Sequence, residues 1–142
     1  MRKGGSILAF DFGLKHIGVA AGQTITGQAR GVTTIRARDG KPDWQQIQSL
    51  VADYGPIQLI VGLPLNMDGT ESALSARARQ FSLRLGRRAK LPLALWDERL
   101  TTREANAHLD RARVAGVAQT SHELAAVLIA ESWLAHSAQA AE

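Results

Sequence analysis

Two carboxylates stand where a folded chain could use them to hold a cation against a phosphate. Asp11 follows the apolar run Ile7 to Phe10 and is itself followed by Gly13, Lys15, His16 and Gly18. Glycines at 13 and 18 let the backbone come close to a bulky anion where a side chain would stand in the way. Glu98, in the pair Asp97-Glu98, follows a second apolar run, Leu91 to Trp96. If the strands that bear them are neighbours in one sheet, the two groups can share a divalent ion. Magnesium is well served by one or two carboxylates together with waters and substrate phosphate. In two-ion phosphodiester hydrolysis the ions lie about 3.5–4 Å apart, one activating water and the other stabilising the leaving oxygen. Each residue also has a plain structural reading: Asp11 as an acceptor for turn amides, Glu98 as an ion pair with Arg99.

Three further groups have chemical potential. The loop Asn66-Met67-Asp68-Gly69-Thr70 precedes a helix, whose first amides attract anions, and it equally fits an ordinary turn built on Asp68. Arg77, Arg84 and Arg88 share one flank of the helix that follows, with Arg87 and Lys90 nearby. They could track a phosphate backbone or form a solvated face. His122, beside Glu123, opens the last helical segment, where an imidazole can cap, bind metal or move a proton. His16, His108 and His136 show no metal-ligand spacing, and no Ser, His and Asp arrangement suggests a hydrolase triad.

The elements that must place these groups follow from apolar periodicity. Ile7 to Phe10 and Ile17 to Ala21 read as two strands of a hairpin, and residues 28–34 as a third, antiparallel strand. Asp43, with Gln46 three positions on, caps a helix carrying Trp44, Ile47, Leu50, Val51 and Tyr54 that stops at Gly55-Pro56. The continuous apolar run Ile57 to Leu63 suits a central strand covered on both faces. A helix over 71–88 buries Leu74, Ala78, Phe81 and Leu85, and Leu91 to Trp96 forms the last strand. Thr101 with Glu104 predicts a short helix to Leu109, residues 110–119 read as a mobile loop, and a nearly all-apolar helix runs from Thr120 to a frayed tail at 136–142. A meander that gives way to alternating helices and strands indicates an α/β fold, a five-stranded mixed sheet with helices on both faces.

Composition narrows the functional classes. At 142 residues the chain is expected to form a single domain, long enough to bury roughly two-thirds of its unfolded surface. It has no cysteine, which excludes disulfides and thiolate chemistry. Neither a secretory signal nor a membrane-length apolar run is present, so a cytoplasmic location is expected. Lys and Arg number 17 against 13 Asp and Glu, a formal charge of +4 that mildly favours polyanionic partners.

The motifs AFDFGLKHIGVA, VGLPLNMDGTES, DERLTT and AAVLIAESW occur in that order. Together they resemble, over nearly the whole chain, the bacterial family of pre-16S ribosomal RNA nucleases, also described as Holliday-junction-resolvase-like proteins. The resemblance implies a ribonuclease H-like fold and trimming of the 5′ end of the 16S rRNA precursor in the cytoplasm. By motif, Asp11 matches the family's first-strand catalytic Asp and Glu98 its second acid. The family usually has an Asp where this chain has His122, and an imidazole offers no negative charge for a second Mg²⁺.

The resulting expectation is a nuclease using Mg²⁺ or Mn²⁺ on structured RNA. Asp11, Glu98 and His122 are the catalytic and metal-site residues, with Lys15, Asn66 and Arg99 contacting or positioning substrate. Two alternatives stay open: a resolvase for branched DNA with the same fold and ions, and an RNA-binding ribosome-assembly module without turnover. An actin-like phosphotransferase also places Asp and Gly after its first strand, but 142 residues leave no room for its paired domains.

Overall fold

In the computed structural model, residues 4–101 and 121–140 are described. Ser6–Asp11 (β1) and His16–Gln23 (β2) form the expected hairpin, with Asp11 opposite Gly18. Ala29–Arg38 (β3) adds an antiparallel strand, with a bulge at Val19/Ala20 on its partner. The chain then reverses through Asp39 and Gly40, whose φ values of 50° and 78° make the tight turn, into the two-residue strand Lys41–Pro42 (β4). This edge strand is the sixth, one more than expected. Pro42, which has no N–H to give a ladder, is tolerated at an edge.

Trp44–Tyr54 (α1) starts where Asp43 accepts the Gln45 N–H, and it stops where Gly55 turns left-handed and donates to the Val51 carbonyl. Gln58–Leu63 (β5) pairs parallel with β1. Ala73–Ala89 (α2) begins two residues later than the apolar stripe alone suggests, because Ser72 and Ser75 form a reciprocal capping box. Leu93–Asp97 (β6) pairs parallel with β5, a 3-10 turn follows at Glu98–Thr101, and Ser121–Ala140 (α3) closes the described chain. The sheet order is β4-β3-β2-β1-β5-β6. The short helix expected to Leu109 and the loop 110–119 lie outside the described residues. Among those described, no helix is long and apolar enough to cross a membrane.

Alternation along the strands divides the core in two. Leu8, Phe10 and Val61 pack with Ile47, Phe81 and Leu85 on the side of α1 and α2. Ile7, Ala9 and Ile60 pack with Ile129, Ala130 and Leu134 of α3 on the other.

What sets the seat of α3 is the small-residue face of β2. Ile17, Val19 and Ala21 belong to the α1/α2 core, so period-two geometry gives His16, Gly18, Ala20 and Gly22 to the α3 side. A Cβ at Gly18 would lie 1.9 Å from the His122 carbonyl oxygen, and one at Gly22 would lie 3.0 Å from Leu134 Cδ1. The helix is also tied to β3: Glu123 accepts from the Thr34 hydroxyl at 3.3 Å and Glu131 from the Ala29 N–H at 3.0 Å. Near its end, His136 Nδ1 donates to the Ser132 carbonyl at 2.8 Å, and its ring meets the edge of Trp96 at 5.0 Å. The helix runs on to Ala140 through most of the segment expected as a tail, whose last two residues lie outside those described.

Gly18→Ala is therefore expected to push α3 off the sheet and to destabilise the protein by about 1–3 kcal/mol, the usual cost of overpacking a close contact. Urea denaturation measures it, and an unchanged midpoint would show that the helix does not rest on Gly18.

Candidate active site

Asp11 ends β1, and Glu98 opens the turn immediately after β6. The strands that bear them are not neighbours, contrary to the sequence expectation, because β5 lies between them. Two inter-strand steps of about 4.8 Å separate β1 from β6. Glu98 bridges that gap by folding over Gly62 of β5, where a Cβ would lie 2.6 Å from Glu98 Oε1 and 2.4 Å from Ile129 Cδ1. The Asp11 and Glu98 carboxyls then come within hydrogen-bonding reach of each other.

Two carboxyl groups can hydrogen-bond to each other only if one keeps its proton. Burial raises the Asp11 pKa above the ordinary aspartate range, while the bond to Glu98 and the charge of His122 pull it the other way. Burial is also the largest influence on Glu98, followed by the hydrogen bond and charge of Asp11 and then the charge of Asp97, and together they push it up to about 8. Both carboxyls are raised, so the pair as a unit keeps a proton that an isolated, exposed acid would lose.

His122 stands in the first turn of α3, within electrostatic reach of Asp11. Its ring stacks on that of His16, with centroids 4.8 Å apart and planes at 21°. Metal-ligand spacing along the chain does not single out His16. The signal that could have found it is the strand period, which puts it on the same face as Gly18, the residue paired with Asp11.

Among the described residues, no three His, Asp or Glu side chains gather as a metal-binding group. The Asp11–Glu98 pair is a candidate seat for a cation, with His122 within electrostatic reach of Asp11. The pair fits a hard divalent ion, because two half-buried acids set close together offer oxygen ligands whose repulsion a cation would relieve, and Mg²⁺ takes its remaining ligands from water and phosphate.

Arg99 does not pair with Glu98. Its guanidinium grips Asp97 through Nε, 3.1 and 3.0 Å from the two carboxylate oxygens, and through Nη2 at 2.7 Å, and it donates to the Met67 carbonyl at 3.2 Å. The ion pair holds the Asp97 carboxyl below its usual range. Arg99 thereby fastens the loop after β5 to the end of β6, a bracing role at the edge of the site. Asn66 is likewise engaged within that loop, its amide donating to the Thr70 hydroxyl at 3.0 Å. Lys15 is exposed in the β1–β2 turn, its carbonyl accepting from Ala37 N–H at 2.8 Å.

A meandering β1–β2–β3, parallel β5 and β6, and carboxylates at the ends of β1 and β6 define the ribonuclease H-like class of phosphodiester hydrolases. Within it, residues 5–136 match the model of the RuvX family, described as Holliday junction resolvase, and the chain belongs to that family. It is 53% identical over 130 residues to a Yersinia pseudotuberculosis (serotype IB, strain PB1/+) protein named "Putative pre-16S rRNA nuclease", covering 90% of this chain and 93% of that one. A Yersinia pestis (strain Pestoides F) protein of the same name matches to the same extent. Among solved structures, Thermus thermophilus RuvC in complex with Holliday junction substrate superposes with a TM-score of 0.67 at 15% identity, covering 95% of this chain and 96% of that one. The yeast mitochondrial Holliday junction resolvase Ydc2 gives 0.57 at 12% identity, covering 94% and 79%. These two likenesses show the fold.

The raised Glu98 pKa makes a signed prediction for the metal-free protein. A folded-state pKa near 8 against an ordinary value of 4.5 means that the native state binds more protons than the unfolded state between those limits. Stability should therefore fall as pH rises through that window, with a slope of at most about 1.4 kcal/mol per pH unit. Glu98→Gln, which keeps a donor without a titrating proton, should flatten the slope in urea melts from pH 5 to 8. Parallel curves for the two proteins would mean that no proton is shared.

Proposed function

We propose that this chain is a divalent-metal-dependent ribonuclease that processes the 5′ end of the 16S rRNA precursor in the cytoplasm. The observation that carries the reading is the meeting of Asp11 and Glu98 over Gly62. The choice of RNA is supported by relatives that are 53% identical and share the name of a pre-16S rRNA nuclease. The resolvase description of the family and the RuvC likeness favour a second reading, cleavage of branched DNA by the same site.

In the proposed reaction Asp11 and Glu98, both ionised, would hold Mg²⁺ or Mn²⁺. A divalent ion so held would polarise the scissile phosphate and make water a better nucleophile. His122, beside Asp11 but outside the carboxylate pair, moves a proton, taking one from the attacking water or giving one to the leaving oxygen. His16 limits the rotation of that imidazole through the ring stack. Lys15 contacts a substrate phosphate, while Asn66 and Arg99 fix the loop that borders the scissile bond.

Asp11→Asn should abolish cleavage of a precursor 16S rRNA fragment in Mg²⁺, a fall of more than the roughly 100-fold typical of losing an outer-shell partner, with the circular dichroism spectrum unchanged. His122→Ala should lower kcat by about 100-fold or more and change KM little. Wild-type cleavage of a four-way DNA junction but not of the RNA would transfer the activity to the second reading. Undiminished cleavage by Asp11→Asn would remove the carboxylate pair from the chemistry.

A further inference from the structure

We propose that the Arg77/Arg84/Arg88 flank of α2 and the β3–β4 hairpin form a cationic groove that grips the sugar-phosphate backbone of a duplex arm flanking the scissile bond. This rests on the nuclease reading in one respect, that the polyanion held is the same RNA. A cavity of about 190 Å³ opens there, lined by Phe12, Lys41, Trp44, Arg77, Phe81 and Arg84. Its floor is a rigid aromatic layer: Phe81 lies 5.2 Å from Phe12 and 5.6 Å from Trp44, the latter pair with planes at 19°. Its rim is basic. Arg77 is spent on the hairpin turn, donating to the Asp39 carbonyl and pairing with the Asp39 carboxylate at 3.5 Å. Lys41, Arg84 and Arg88 are in no ion pair among the described residues. The Arg88 guanidinium is set 4.6 Å over the Trp44 ring, which fixes its position at the lower end.

The charge on this helix is one-sided. Over its 17 residues α2 has five arginines and no acid. Arg84 and Arg88, four apart, repel each other on the helix surface, a cost that a merely solvated face would relieve with an intervening acid. Positions 77, 84 and 88 fall on one face and span eleven residues, about 16 Å at 1.5 Å per residue. Over that length one strand of a duplex presents about five phosphates at 3.4 Å each. The groove also starts where the chemistry ends: Phe12, in its floor, follows Asp11 directly, and strand alternation sends the two to opposite faces of the sheet at the same end. An arm leaving the site over that end meets Lys41 and Arg84 next. Ammonium and guanidinium groups on an open rim read phosphates and not base edges, so the grip is independent of sequence.

The test is the salt dependence of RNA binding by the full chain, read by fluorescence anisotropy with a labelled precursor 16S rRNA fragment containing a duplex arm. Lys41→Gln/Arg84→Gln changes two exposed side chains and should weaken binding several-fold at low salt. It should also reduce the slope of log K against log salt by about 1.8, two contacts at about 0.9 each. Arg30→Gln, on β3 beside Tyr54, removes a charge outside the groove and should leave the slope unchanged. Equal slopes for the double variant and wild type overturn the groove, and if the wild type still cleaves, the nuclease reading survives alone. A slope that drops as expected in a protein that never cleaves RNA supports the groove and overturns the nuclease reading. A wild type that binds no RNA overturns both.

Discussion

Two missing side chains, at Gly18 and Gly62, set how closely the pieces of the site can approach one another. At Gly18 the main chain of α3 comes so near β2 that even a methyl group would collide with the His122 carbonyl. At Gly62 the Glu98 side chain lies across the middle strand in the space a Cβ would occupy. Asp11 sits between these two approaches, opposite Gly18 in the antiparallel ladder and on the strand next to β5. Interiors are packed to the density of organic crystals, so such gaps persist only if something fills them. Here the fill is the histidine-bearing start of α3 at one glycine and the Glu98 carboxylate at the other.

That geometry has an electrostatic consequence. Bringing two acids together in a half-dry corner is unfavourable unless one stays protonated or a cation arrives, and burial is the largest influence on both Asp11 and Glu98. The hydrophobic layers on either side of the sheet therefore supply the conditions that make the carboxylate pair suited to a divalent ion. Asp97 and Arg99 complete the arrangement by bracing the start of the turn, so that Glu98 and not its neighbour faces inward.

Much of this was legible in the sequence. Asp11 and Glu98 stand after apolar runs, Asp43 and Gly55 mark the ends of α1, and the alternating small residues of β2 are visible in HIGVAAGQ. What the sequence could not give was long-range: that β5 separates β1 from β6, and that a glutamate can cross that strand only at a glycine. Arg99 illustrates the same limit. Two carboxylates, Asp97 and Glu98, directly precede it in DER, and only the fold decides that Asp97 is its partner. His16 shows no metal-ligand spacing along the chain because its partner is a histidine more than a hundred residues away, brought in by α3. The two-residue strand β4 is too short for any periodicity to announce it.

The most direct test of the convergence of Asp11 and Glu98 is a Mn²⁺ titration followed by isothermal calorimetry on wild type, Asp11→Asn and Gly62→Ala. The wild type should bind the ion, and both variants should lose that binding while remaining folded, the second because a methyl group at 62 displaces Glu98 from the position in which it meets Asp11. Wild-type affinity retained in both variants would contradict a cation site built from those two carboxylates.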